Sequence, residues 1–388
     1  MMNTQKENRL FDAMEIITSE GLGGMGKAIE IILNEAMLAE RSRHLQADPY
    51  QRTEERTGYA NGFKDKHMKT RVGNLDCKVP QVRNGDFYPS ALEKGIRSER
   101  ALKLAVAEMY LKGVSTRKVE KITQKLCGVS FTSAEVSRAT EKLDGVVNAW
   151  NTRPLGEFVY VYFDAIYEKR HAGGCIVDVA VFVAIGINAQ GKREVLGVSV
   201  SESEAEIHWR EFMLSLTARG LYGVKLIISD AHAGLQAARR KVFSSVKWQR
   251  CQFHLQQNVQ AYVPKKNQRK EVGQKVTAIF NAPNREESER LLGMAVAHYE
   301  KSAPQLSEWL EDNIPEGLAV FDFPEEHQKR IRTSNMVERQ NREIRRRTKV
   351  VGIFPNNASC LRLVSAILME TDQEWASSKV YLNMTMDD

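Results

Sequence analysis

Cysteine is scarce in this 388-residue chain and follows no pattern. Cys77, Cys127, Cys175, Cys251 and Cys360 are odd in number and scattered, which argues against a disulfide framework, and no C-x-x-C pair offers a zinc or redox site. Such usage fits a reducing cytoplasm. Long apolar runs are also missing. None approaches the roughly 18 residues of a membrane span, and the opening Met1-Met-Asn-Thr-Gln-Lys-Glu-Asn lacks the apolar stretch of a signal peptide. A soluble, intracellular protein with no membrane partner is expected. Acidic residues are in the minority, 49 against 56 Lys and Arg, and the resulting net charge of +7 favours a polyanionic partner without identifying it. Apolar residues, at 42%, suffice for cores in two or three domains.

Residues 8 to about 45 read as helical, with Ile29, Ile32, Leu33 and Met37 on one apolar face. The G-x-G-x-x-G at Gly21–Gly26 lies between helical stretches with no βαβ unit following, so it reads as a helix break and not as a dinucleotide fingerprint. From Asp48 to Asp86 the chain is polar and basic, and the alternation of Leu75, Cys77 and Val79 with Asp76 and Lys78 predicts a short strand or hairpin. This segment could track DNA, or be a solvated basic surface.

Residues 99 to 150 predict three helices. Leu102, Val106 and Met109 face inward in the first, which Gly113 stops. Ser115 caps the second, with Val119, Ile122 and Leu126 as its stripe. Thr132-x-x-Glu135 is a capping box opening the third, where Val136, Leu143 and Val147 pack inward and Ser137, Arg138 and Lys142 point out. The set suits a helix-turn-helix that binds DNA, although its Cys127–Phe131 loop exceeds the tight motif and a plain helical module has the same pattern.

After Arg153-Pro154 the periodicity becomes extended. Phe158–Asp164, Cys175–Gly186 and Glu194–Val200 predict an antiparallel meander, and a helix over 204–219, a strand at Val224–Asp230, a helix over 231–243 and a strand at 247–253 predict parallel additions to it. Residues 255 to about 330 contain helix formers and no convincing strand, an all-helical insertion.

Three acids occupy informative places. Asp164 is within or closes the first strand, where burial is costly unless it is paired, with Lys169 or Arg170, or bound to metal. Asp230 ends a strand before a helix, where it could equally serve as N-cap. Glu338 heads a cationic helix in which Asn341, Arg342 and Arg345 follow on the same face at i+3, i+4 and i+7, yet Asn335-x-x-Glu338 is also a capping-box spacing. Acids converging at the carboxyl edge of a mixed sheet need cations to coexist. Hard Mg2+ ions suit carboxylate oxygens, and two of them bridged by an aspartate point to phosphodiester chemistry. Glu202, Glu204 and Glu206 are the rival ligands. Cys251-x-x-His254 is half a zinc site with no second pair, so zinc is not expected; a packing role is open to it, as capping is to His208 and His232.

Several motifs together resemble the mutator-type DDE transposases of bacterial insertion sequences. They are Tyr162-Phe-Asp164-Ala-Ile-Tyr-Glu-Lys169, His208-Trp209, Gly223-Val-Lys-Leu-Ile-Ile-Ser-Asp230-Ala-His232-Ala-Gly-Leu235, Cys251-Gln-Phe-His254, Ser334-Asn-Met-Val-Glu338-Arg-Gln-Asn-Arg342 and Gly352-Ile-Phe-Pro355, with Gly113-Val-Ser-Thr-Arg117 and Val136-Ser-Arg138 upstream. The resemblance implies a ribonuclease-H-like core, a helical insertion between the second Asp and the Glu, and strand transfer of element DNA, and it carries the DDE roles onto Asp164, Asp230 and Glu338. It also suggests that Cys251 and His254 lie near the active site as support; His232, close to Asp230 in sequence, is a further candidate for orienting that acid.

The expected architecture is therefore α+β and multidomain. A helical and basic arm (1–98) and a helix-turn-helix-like DNA-binding domain (99–153) precede a ribonuclease-H-like mixed-sheet core (154–254 and 331–388), which a helical insertion (255–330) interrupts. The expected activity is metal-dependent cleavage and transfer of double-stranded DNA, with binding of terminal inverted repeats and target. Two Mg2+ ions serve it, or Mn2+ in their place. Arg117, Arg138, Lys142, Arg342, Arg345, Arg346 and Arg347 are the expected DNA contacts, and joining two ends implies at least a dimer on DNA. The alternatives are an inactive helix-turn-helix regulator and a nuclease that hydrolyses without joining.

Overall fold

The computed structural model describes residues 2–83, 85–141 and 143–384, and the chain divides into two compact units, 1–141 and 142–388. No described helix is long and apolar enough to cross a membrane.

In the first unit α1 (Met2–Glu20) and α2 (Met25–Leu45) are joined by a 3-10 turn, Gly21–Gly24, so the glycine-rich stretch is a helix break. The hairpin β1 (Tyr59–Thr70) and β2 (Gly73–Arg83) is antiparallel, and the alternation read in β2 buries Leu75, Cys77 and Val79 against Met37, Ile29 and Leu33 of α2. Then come α3 (Arg100–Leu111), α4 (Thr116–Cys127) and α5 (Ser133–Glu141). Ser115 caps α4 by accepting the Lys118 N–H, and Gly128, at φ +64°, ends it. The Thr132 hydroxyl accepts the Glu135 N–H at 3.2 Å while the Thr132 N–H donates to Glu135 at 2.9 Å, which completes the expected capping box. Two details differ from expectation. Leu126 is 78% exposed and Thr123 is buried in its stead. The third helix also stops at Glu141, and its predicted continuation is a separate helix, α6 (Asp144–Asn151), of the second unit. The reason is visible in its partners: Asp144 pairs with Arg362, Trp150 Nε1 donates to Asp372 at 3.2 Å and Asn151 to Ser365 at 3.0 Å. The division of the chain accordingly falls near residue 142, ahead of the Arg153 boundary expected from periodicity.

The second unit is built on a five-stranded mixed sheet. Its strands and first helices run β3 (Phe158–Ala172), β4 (Cys175–Asn188), β5 (Arg193–Ser201), α7 (Glu206–Ala218), β6 (Leu226–Ser229), α8 (Ala233–Val242) and β7 (Lys247–Arg250), with spatial order β5-β4-β3-β6-β7. β3, β4 and β5 form the antiparallel meander, while β6 runs parallel to β3 and β7 parallel to β6. Helices α9 (Gln252–Asn258), α10 (Arg269–Phe280), α11 (Arg285–Tyr299), α12 (Pro304–Asn313) and α13 (Glu325–Ile331) follow without a strand, around their own core of Val272, Ile279, Leu306, Trp309 and Leu310. The chain then returns as α14 (Asn335–Val351) and α15 (Asn357–Ala376).

The two-residue period of β3 decides what its faces meet. Val161 and Phe163 enter a core with Phe182, Trp209 and Phe212, where the Trp209 ring lies 4.2 Å from that of Phe182. On the opposite face Tyr160 bonds His327, Tyr162 donates to the Arg330 carbonyl, and Glu168 accepts from Thr348, so α13 and α14 cover it. Asp164 belongs to this covered face. It sits mid-strand opposite Val183, because β3 runs on to Ala172 and does not end at the acid.

Candidate active site

Asp164 is part-buried under α14. Its Oδ1 accepts the Ala165 N–H at 2.9 Å and its Oδ2 accepts from Asn341 Nδ2 at 2.7 Å. Burial pushes its carboxyl up to about 6, with Glu338 and Asp230 adding to the shift and the Ala165 N–H and His254 opposing it. Among the described residues no Lys or Arg pairs with it: Arg170 is committed to Glu202, at 2.6 and 2.7 Å, and Lys169 is exposed. The structural explanation offered by sequence for this acid therefore does not apply.

Asp230 follows β6 directly. It is not the N-cap of α8, a position held by His232, and its Oδ1 accepts the Ala231 N–H at 2.7 Å. Glu338 lies in the first turn of α14, whose N-cap is Ser334 with no side-chain capping bond, so the Asn335–Glu338 capping box does not form. Ser334 Oγ is instead 3.1 Å from Glu338 Oε1 and 3.2 Å from Cys251 Sγ, and its one proton serves either. Asp164, Asp230 and Glu338 line a single open cleft of about 580 Å3 with Phe253, His254, Asn341, Arg342 and Arg345. The helical period places Asn341, Arg342 and Arg345 there, one turn and two turns beyond Glu338.

His254, in the first turn of α9, stands between the acids: Nδ1 is 4.0 Å from Asp230 and Nε2 3.7 Å from Glu338. Cys251 chiefly, then Asp230 and Glu338, hold its imidazole up to about 9 against burial. Cys251 is buried beneath and accepts the Ser334 N–H at 3.3 Å, which ties the start of α9 to the start of α14. Burial opposes ionisation of its thiol, but hydrogen bonds from His254 and Ser334 outweigh it and lower its pKa. Cys251, His254 and Glu338 bring one ligand atom each to within 4.8 Å of one another. The whole cleft nevertheless offers mainly hard carboxylate oxygens, a donor set that suits Mg2+ or Mn2+ better than zinc.

The other expected residues are placed as follows. Arg346 pairs with Glu343, and the part-buried Arg347 is held in ion pairs with Glu343 and Glu370, so Arg347 braces α14 against α15 and is a poor DNA contact. Arg117 and Arg138 are exposed on α4 and α5, and Lys142 lies outside the described residues. His232 approaches Glu204 at 3.6 Å and His208 approaches Glu211 at 3.9 Å, and neither lines the cleft. The rival acids are engaged elsewhere, Glu202 with Arg170 and Glu206 with Arg210 and Lys241. Sequence reasoning missed Ser334, whose position four residues before Glu338 was the available signal.

An α+β protein with a mixed five-stranded sheet, an acid-lined cleft at the end of a parallel strand and arginines along the helix bearing one acid is thereby defined. The chain belongs to the transposases of the Mutator family, whose model matches residues 1–378. It is 57% identical over 378 residues, 97% of each chain, to the transposase for insertion sequence element IS406 of Burkholderia multivorans. It is 40% identical to the transposase for ISRM5 of Rhizobium meliloti, over 93% of this chain and 91% of that one. To the transposase for IS256 in transposon Tn4001 of Staphylococcus aureus it is 39% identical, over 91% of each.

Proposed function

We propose that this transposase binds the terminal inverted repeats of its element and cuts and joins double-stranded DNA through a DDE triad of Asp164, Asp230 and Glu338 on a ribonuclease-H-like core. The carrying observation is the convergence of those three acids in one cleft beside Arg342 and Arg345. Sheet order and the helices between β7 and α14 support the core and insertion assignments.

In this reading Asp164, Asp230 and Glu338 would together hold two Mg2+ ions, or Mn2+ in their place. When bound, such ions activate an attacking oxygen and stabilise the departing one. The protein's own part is to fix positions. Asn341 holds one Asp164 oxygen, Ser334 steadies Glu338, and Arg342 and Arg345 hold phosphates of the strand. A water oxygen attacks the phosphorus at the element end and the 3'-oxygen leaves with a proton. That 3'-hydroxyl then attacks a target phosphorus, forming one phosphodiester bond as another breaks. Arg117 and Arg138 in the helices after residue 99, together with Lys142, read the repeats, and two ends joined together call for at least a dimer, acting in the cytoplasm.

The test uses a duplex carrying the element's end, a target plasmid and Mg2+. Wild type should cleave and join, and Asp164→Asn should bind the end with unchanged affinity and do neither. Hydrolysis without joined product would favour the nuclease, and binding without divalent-dependent chemistry the regulator.

A further inference from the structure

Along the neighbouring flank of α14 lies a second cleft, of about 1110 Å3. Arg193 enters it from the first residue of β5, Arg330 from α13, and Arg339 and Arg342 from α14, so segments far apart in the chain deliver four guanidinium groups to one place. Arg346 and Arg347 also line it, but Glu343 and Glu370 already neutralise them. Among the described residues no carboxylate comes within ion-pair distance of the other four, Glu374 of the same lining included.

Arg193 shows what this arrangement costs. Its guanidinium lies 4.6 Å from the rings of both Trp375 and Tyr381, and Arg330 lies 4.8 Å from Tyr381. The aromatic faces occupy the planes and leave the in-plane N–H donors unmatched. Burial first, then the charges of Arg330 and Arg339, disfavour the Arg193 cation. Tyr381 is itself held, its N–H donating to the Gly191 carbonyl at 2.9 Å. Gly191 has φ +73° and stands where a Cβ would lie 1.8 Å from the Leu382 carbonyl, so the terminal segment packs against the β4–β5 turn only because the residue is glycine. A rigid set of like charges without counter-ions is an anion site. Asn335 and Arg342 line this cleft and the acid cleft alike, so the two adjoin across these side chains.

We infer that this groove binds the phosphodiester backbone of DNA, continuing over Arg342 from the acid cleft, with Arg193, Arg330 and Arg339 as its phosphate contacts. The inference rests on the proposed function, since it takes the strand in the acid cleft to be DNA.

The exposed pair is the one to change. In an Asp164→Asn background, Arg330→Gln/Arg339→Gln should lower the slope of log affinity against log salt by about 2 for duplex DNA, since each lost phosphate contact removes about 0.9. Lys265→Gln/Lys266→Gln, exposed on the insertion and equal in charge change, should leave the slope unaltered. Three probes separate the sources: an uncleaved element end, a pre-cleaved end and a duplex of unrelated sequence. Loss confined to the ends assigns the groove to element DNA, and loss on the unrelated duplex assigns it to target DNA. An unchanged slope on every probe, or an equal fall in the lysine pair, overturns the inference. Wild type lacking all divalent-dependent cleavage would instead count against the proposed function, and the slope would still be read.

Discussion

Asn341 is the side chain on which the setting of Asp164 depends most directly. Its amide donates at 2.7 Å to a carboxylate that burial and two neighbouring acids already disfavour in the charged form. Asn341→Ala should slow cleavage about 10–100-fold, the usual effect of losing a group that orients a metal ligand. It should also raise the Mg2+ concentration for half-maximal rate while leaving DNA affinity unchanged. A purely structural role would instead lower stability and spare the metal dependence. At this scale much was legible. Helical spacing is local, so Glu338, Asn341, Arg342 and Arg345 could be placed on one face without knowing the fold. The fates of Asp230 and Arg347 were not local matters. Asp230 reads equally as an N-cap or a ligand until His232 takes the cap, and Arg347 reads as a phosphate contact until α15 supplies Glu370.

Helix α14 carries Glu338 of the proposed triad and also its own bracing. Glu343 accepts from Arg346 and Arg347 at 2.8 Å, chiefly from Arg346, and its carboxyl is held down to about 2. Because the folded value lies below the ordinary one near 4.5, the stabilisation is complete above that value and is lost as pH falls toward 2. Glu343→Gln should therefore melt below wild type at neutral pH, and the gap should narrow as pH drops beneath about 4.5, which melting curves across that window would show. A gap independent of pH would contradict the ion-pair account. Elements were readable where caps and alternation agree, as in β2 and at Thr132–Glu135. They were misread where neighbours choose between adequate residues: Leu126 and Thr123 both continue the face begun by Val119, and packing takes Thr123.

The molecule's second unit joins a sheet to a helical insertion with a separate core, and the buried amides of Gln249 and Gln252 span the junction. Gln249 on β7 donates to the Gly317 carbonyl and accepts the Val320 N–H, both at 2.7 Å. Gln249→Ala strands the Val320 N–H at a cost of about 1–3 kcal/mol, while the Gly317 carbonyl keeps the Gln252 amide at 2.9 Å. Protease sensitivity should rise within 259–324 before the sheet melts, and uniform sensitivity would show that sheet and insertion unfold together. The meander and its parallel additions followed from strand and helix patterning, but the faces of β3 did not, since only α13 and α14 reveal that Asp164 is covered. The central claim is that Asp164, Asp230 and Glu338 jointly hold divalent ions. Anomalous scattering from crystals of the protein with Mn2+ and a pre-cleaved DNA end tests it directly. Two peaks flanking Asp164, one reached by Asp230 and the other by Glu338, are expected. A single peak held by Cys251, His254 and Glu338, with nothing at Asp164, would contradict it.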